Sequence, residues 1–157
     1  MAPADAPFIL ELVNTPDWIR NIGDRGMRTP EDARDYIEKG PMAMYERLGF
    51  GLWIAELRDS SEPVGICGLI KRDELDDVDL GFALLPRYFG QGYAREAATA
   101  TMAYGRDRLG LGRIVAITVP GNADSVKLLE RLGFRFERTI RMAHKDEAVS
   151  LYASLPA

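Results

Sequence analysis

Gly90 and Gly92, one residue apart, stand between a strand-like run and a helix-like run, and that placement can do chemistry. Val78, Leu80, Phe82 and Leu84 alternate with Asp79, Gly81 and Ala83, the period of a half-buried strand. Pro86 cannot donate to a ladder, so the strand should stop near Leu85. From Tyr93 to Gly105, Ala94, Ala97, Ala98, Thr101, Met102 and Tyr104 recur at helical spacing. A glycine-rich loop feeding a helix N-terminus gathers several backbone N–H groups into one small space, where the helix dipole adds positive potential. An anion, above all a phosphate, belongs there. The same glycines could do no more than cap a helix. A dinucleotide-binding loop would want a third glycine and an acid at the end of the next strand, and a Walker loop Gly-Lys-Ser/Thr; neither is present. Cys67, the only cysteine, forms no internal disulfide and no zinc site, and its apolar run, 64–70, reads as a buried strand with an inert thiol. No metal is called for.

The elements around this loop follow from composition and periodicity. A chain of 157 residues suits one domain whose core buries about two thirds of the unfolded surface, and 46% hydrophobic residues is ordinary for a globular protein. No apolar run approaches the roughly 20 residues of a membrane span, and no signal peptide is seen, so cytoplasm is the expected location. A net charge of −4 argues against a general nucleic-acid binder and is compatible with a cationic amine as substrate. Residues 3–14 read as an amphipathic helix with Phe8, Ile9, Leu12 and Val13 inward, and Trp18, Ile19 and Ile22 mark a short second helix. Thr29-Pro30 opens a third helix to about Lys39, Gly40-Pro41 should break it, and 42–48 should resume it. Strands are expected at 52–57, 64–71, 78–85, 114–119, 134–142 and 148–155, with helices at 93–109 and 124–132, the latter ended by Gly133. An antiparallel meander followed by alternating strand and helix makes a mixed α/β sheet with helices on its faces. Its ligand belongs where the central strands splay.

The run Arg87-Tyr88-Phe89-Gly90-Gln91-Gly92-Tyr93-Ala94 resembles the acetyl-CoA pyrophosphate loop of the GNAT acetyltransferase superfamily. A second run, from Asn122 through Ser125 to Gly133-Phe134, looks like that family's helix along the pantetheine arm. With Gly92-Tyr93-Ala94-Arg95-Glu96-Ala97 included, the closest resemblance is to the RimJ/RimL branch, which acetylates protein N-terminal amines or small amines. That fold usually opens with a strand before the first helix. Here the sequence begins at the helix, read as an incomplete start in preference to an edge covered by a neighbouring chain.

The resemblance implies direct attack of a neutral amine on the acetyl-CoA thioester. Backbone N–H groups near Leu84 and Leu85 are expected to hold pantetheine. Those of Gly90, Gln91, Gly92, Tyr93 and Ala94 would take the pyrophosphate with charge from Arg87, and Asn122 and Ser125 would line the arm. Asp79, Asp77, Glu74 and His144 are the candidate proton acceptors, Asp79 foremost from its place on the central strand. Many relatives carry a tyrosine acid where this sequence has Leu129, so Ser125 takes its place or the thiolate leaves unaided. The acceptor site would draw on Trp18, Asp24, Arg25 and Tyr45. The expected partners are acetyl-CoA and an amine, without nucleic acid or membrane, in a monomer or homodimer. A domain that binds acyl-CoA without transferring it, and one that takes another phosphate ligand such as a nucleotide, are the competing readings.

Overall fold

Local caps and breakers decide where each element starts. Residues 1–156 are described by the computed structural model. A 3-10 turn, Pro3–Asp5, leads into α1 (Ala6–Val13), α2 (Pro16–Asn21) and α3 (Pro30–Ile37). The Thr15 hydroxyl caps α2 by accepting from the Trp18 N–H. At α3 the Thr29 hydroxyl accepts from the Asp32 N–H while the Asp32 carboxylate accepts from the Thr29 N–H, a closed capping box. Gly40-Pro41 does not break the chain's helical course. A π-helical turn, Glu38–Met42, absorbs it and passes directly into α4 (Ala43–Leu48). The wider turn relieves the clash a proline ring makes in an α-helix, so the expected break becomes a bulge.

Six strands follow in one sheet: β1 (Leu52–Glu56), β2 (Pro63–Ile70), β3 (Val78–Leu84), β4 (Ile114–Thr118), β5 (Phe134–Ile140) and β6 (Val149–Ser154). Helix α5 (Tyr93–Asp107) joins β3 to β4, and α6 (Ala123–Arg131) joins β4 to β5. The spatial order is β1-β2-β3-β4-β6-β5, antiparallel throughout except between β3 and β4. This is the mixed, mostly antiparallel sheet that the order of elements predicts. Among the described residues no strand precedes α1, and β1 forms one edge of the sheet.

The parallel pair is what matters for function. It holds only at Val78↔Ile114 and Asp79↔Val115. Beyond that point β3 stays with β2 as far as Leu84↔Gly65, and β4 stays with β6 as far as Thr118↔Ser150, so the two halves of the sheet part in a V. The Leu85 N–H donates to the Val64 carbonyl at 2.9 Å, which fixes the alternation along β3. The N–H groups of Asp79, Gly81 and Ala83 therefore face β2, while those of Phe82 and Leu84 face the gap with no strand to receive them.

The two faces of the sheet carry different cores. Leu69, Leu80, Ile114, Leu129 and Phe134 pack with Ala98 and Met102 of α5. Ile66 and Leu85 pack with Ile9, Leu12, Trp18 and Ile37 from α1–α3. Asp79, on the alternate face from Leu80, looks toward the second of these layers. Backbones approach closely at Gly65, where an added Cβ would lie 2.3 Å from the Ala83 carbonyl oxygen, so only glycine lets β2 support β3 at that point.

Candidate active site

The gap between β3 and β4 opens into one continuous cavity of about 680 Å³. On one side it reaches the start of α5. Gly90 and Gly92 adopt φ of +73° and +84°, conformations that favour glycine, and bring the chain into the helix with no side-chain cap. The Glu96 N–H is the first in α5 to bond back, to the Gly92 carbonyl at 3.0 Å. The N–H groups of Tyr93, Ala94 and Arg95 are left to a ligand, at the positive end of a 15-residue helix. Arg95, Lys127 and Arg131 line the same cavity and supply cationic charge.

Asn122 and Ser125 stand one turn apart on the cavity wall, as the second motif requires. The Asn122 Oδ1 accepts from the Ser125 N–H at 3.3 Å and caps α6. Leu129 lies in the core, 1% exposed, and the wall at this level is made by Ser125 and Leu128.

At the foot of the V sits Asp79, 1% exposed. The Arg72 Nε donates to its Oδ2 at 2.7 Å. Burial pushes its carboxyl up to about 6, against the opposing pull of Arg72 and the nearby Ile117 N–H. Its Oδ1 has no hydrogen-bond partner of good geometry. Trp18 Nε1 and Thr118 Oγ1 are likewise buried and unpartnered, and all three residues line this cavity. Buried polar atoms usually have a partner, and a polar ligand or water in this cavity would supply one.

Several expected residues lie elsewhere. Leu85 does not line the cavity, and its N–H is engaged by Val64; the N–H groups that face the gap are those of Phe82 and Leu84. Arg87 pairs with Glu11 at 2.6 Å and rests on the Tyr88 ring, away from the loop it was expected to serve. Gln91, expected to offer its backbone N–H, does not line the cavity, and its exposed side-chain amide donates to the Arg87 carbonyl. Asp77 is held by Arg113 at 2.8 Å, and Glu74 accepts from the Ala143 N–H at 2.7 Å. His144 does reach the cavity, with its Nδ1 3.5 Å from Glu74. Of the acceptor-side candidates, Trp18 and Arg25 line the cavity, Asp24 pairs with Arg28, and the Tyr45 hydroxyl donates to the Leu52 carbonyl as a structural brace. Arg72, Arg95, Lys127, Arg131 and Lys145 were missed. Their only sequence signal is a charge in a turn or on a solvated helix face.

Residues 1–135 match the acetyltransferase (GNAT) domain family. The chain belongs to the GNAT acetyltransferases. The protein YkkB of Bacillus subtilis is 31% identical over 146 residues, covering 88% of this chain and 80% of that protein. A GNAT-family acetyltransferase from Bacillus anthracis superposes with a TM-score of 0.79 at 28% identity, covering 99% of this chain and 91% of the other. The ribosomal L7/L12 α-N-protein acetyltransferase RimL, solved in complex with coenzyme A, superposes with a TM-score of 0.83 at 18% identity, with coverage of 99% and 91%; that likeness is one of fold. For this GNAT acetyltransferase, an uncapped helix N-terminus, a row of free strand N–H groups and a buried carboxylate thus share one cavity.

Proposed function

We propose that this GNAT enzyme transfers the acetyl group of acetyl-CoA to a primary amine, by direct attack in the V between β3 and β4. Acetyl-CoA supplies the acyl group as a thioester. The N–H groups of Tyr93, Ala94 and Arg95 would receive its pyrophosphate, and those of Phe82 and Leu84 its pantetheine amides and thioester oxygen. Asn122 and Ser125 border the arm. Asp79, ionised at neutral pH, takes the proton the amine must lose, directly or through one water. With a leucine in the core where relatives carry a tyrosine, the departing thiolate is protonated by Ser125 or leaves unaided, its thiol pKa being about 8.5. The single domain acts in the cytoplasm, within or near the RimJ/RimL branch.

The observation that carries this reading is the α5 N-terminus: three unspent N–H groups, left-handed glycines and no cap, opening onto a cavity that contains a buried carboxylate. Calorimetric titration with acetyl-CoA, CoA and ATP tests it. Both CoA species should bind, and ATP should not displace them. Gly92→Asp should abolish binding, because its carboxylate would sit at the helix N-terminus in place of the phosphate and the left-handed backbone there strains any side chain. Absence of CoA binding to the wild-type protein would refute the assignment. The position of Leu129 also favours a second reading, acyl-CoA binding without transfer. Thiol release on adding amines separates the two.

A further inference from the structure

The acceptor side of the cavity has a charge that opposes the charge of the whole chain. It is walled by α1, α2 and the loop after them, by α3, by the turn at 71–77 and by the turn between β5 and β6. Its cations are Arg25, Arg72 and Lys145, and its carboxylates are Asp17 and Asp79. Both carboxylates are taken: Asp17 by Arg20, and Asp79 by Arg72. Arg25 and Lys145 have no carboxylate partner among the described residues. Arg25 rests over the Tyr36 ring, 5.5 Å from its centroid, and Lys145 Nζ donates to the Ile22 carbonyl at 2.8 Å. The cations lie within reach of one another's fields. Burial, then Arg72, then Arg25 hold the Lys145 ammonium below the usual lysine range. Tyr36 feels both arginines as well.

This gathering runs against the net −4 of the sequence, so composition does not account for it. Two cations without a carboxylate partner on the wall of the cavity that holds Asp79 would repel a polyamine, whose further ammonium groups would have to enter the same space. They would attract an anion. The unpartnered Trp18 Nε1 and Asp79 Oδ1 on the same cavity wall are free to meet such a ligand.

The geometry points to an acceptor that is a small amino acid or similar amine bearing its own carboxylate, with the carboxylate held by Arg25 and Lys145 and the amine set against Asp79. This rests on the acetyl-transfer reading above and narrows its substrate class. In the transfer the amine nitrogen bonds to the acetyl carbon, the carbon–sulfur bond breaks, the amine proton passes to Asp79 and the electron pair leaves with the CoA sulfur.

The test is a matched panel of L-amino acids against their own carboxamides, with spermidine alongside, assayed by thiol release with acetyl-CoA. The acids should show kcat/KM roughly tenfold or more above the amides, about the worth of one charge-assisted contact. Arg25→Gln with Lys145→Gln should close that gap, by a rise in KM for the acids. Equal turnover of acids and amides, a preference for spermidine, or a gap that survives in the double variant would overturn the proposal while leaving acetyl transfer intact. A second measurement uses the CoA-loaded protein and N-acetyl amino acids, the products, titrated by calorimetry against their amides. Failure of the acids to bind more tightly than the amides overturns the proposal even where no panel member is turned over. Absence of CoA binding, seen separately, would instead remove the acetyl-transfer reading beneath it.

Discussion

A buried carboxylate such as Asp79 is a costly residue to keep. Its carboxyl is pushed from 3.8 up to about 6 because burial outweighs the guanidinium of Arg72. The folded protein therefore holds a proton that the unfolded chain has already released between about pH 4 and 6. Folding loses stability as pH rises through that window, and the loss persists above it. Urea titrations across the window should show the wild type falling in stability relative to Asp79→Asn as pH climbs, with a constant difference above about pH 6. The same substitution should lower kcat/KM by roughly a hundredfold or more and remove an ascending limb near pH 6 from the pH–rate profile. A variant that keeps both the rate and the limb would assign the base elsewhere. Cys67 gives a complementary prediction. Its thiol, buried between β2 and α5 and 3.4 Å from the Thr101 hydroxyl, is pushed up to about 11. It should resist thiol reagents in the native protein and titrate as a single group in denaturant, which leaves thiol-release assays undisturbed.

The elements work by leaving backbone groups unused. β3 keeps β2 on one side and gives up β4 after Asp79, and α5 begins without a cap. The sequence shows why both ends stop where they do, since Pro86 follows β3 and glycine precedes α5. Gly65 is the support beneath this arrangement. Gly65→Ala would drive a Cβ against the Ala83 carbonyl at a position opposite Leu84. Thermal or urea unfolding should record a loss of about 2–4 kcal/mol, with weakened CoA binding in the fraction that folds. Thr29→Ala removes the hydroxyl half of the α3 capping box and should cost about 1 kcal/mol in the same measurement.

Across the molecule, the cavity joins parts far apart in the chain. Its wall includes Trp18 from α2, Arg72 from the turn before β3, Tyr93 from α5, Ser125 from α6 and Lys145 from the last turn. A ligand bridging them stabilises only the folded state. Acetyl-CoA at about a hundred times its Kd should raise the melting temperature by roughly 5–10 °C, and ATP at the same concentration should leave it unmoved. An equal shift with ATP would favour a nucleotide ligand.

Much of this was legible residue by residue. The alternation from Val78 to Leu84, the glycines at 90 and 92 and the Asn122–Ser125 spacing are local facts, set by backbone sterics and side-chain period, and each element formed close to where they place it. Gly40-Pro41 does not end the helix because a π-helical turn can absorb a proline that local rules treat as a break. The loop motif fixes the backbone path that carries the Gln91 N–H and leaves long side chains to find their own partners, here Glu11 for Arg87 and the Arg87 carbonyl for the Gln91 amide. Which way each β3 N–H points depended on one bond between Leu85 and Val64. The charge of the acceptor side had no local signal at all. Arg25, Arg72 and Lys145 are separated by dozens of residues, and charge acts through space: only the folded chain brings them to the wall of one cavity.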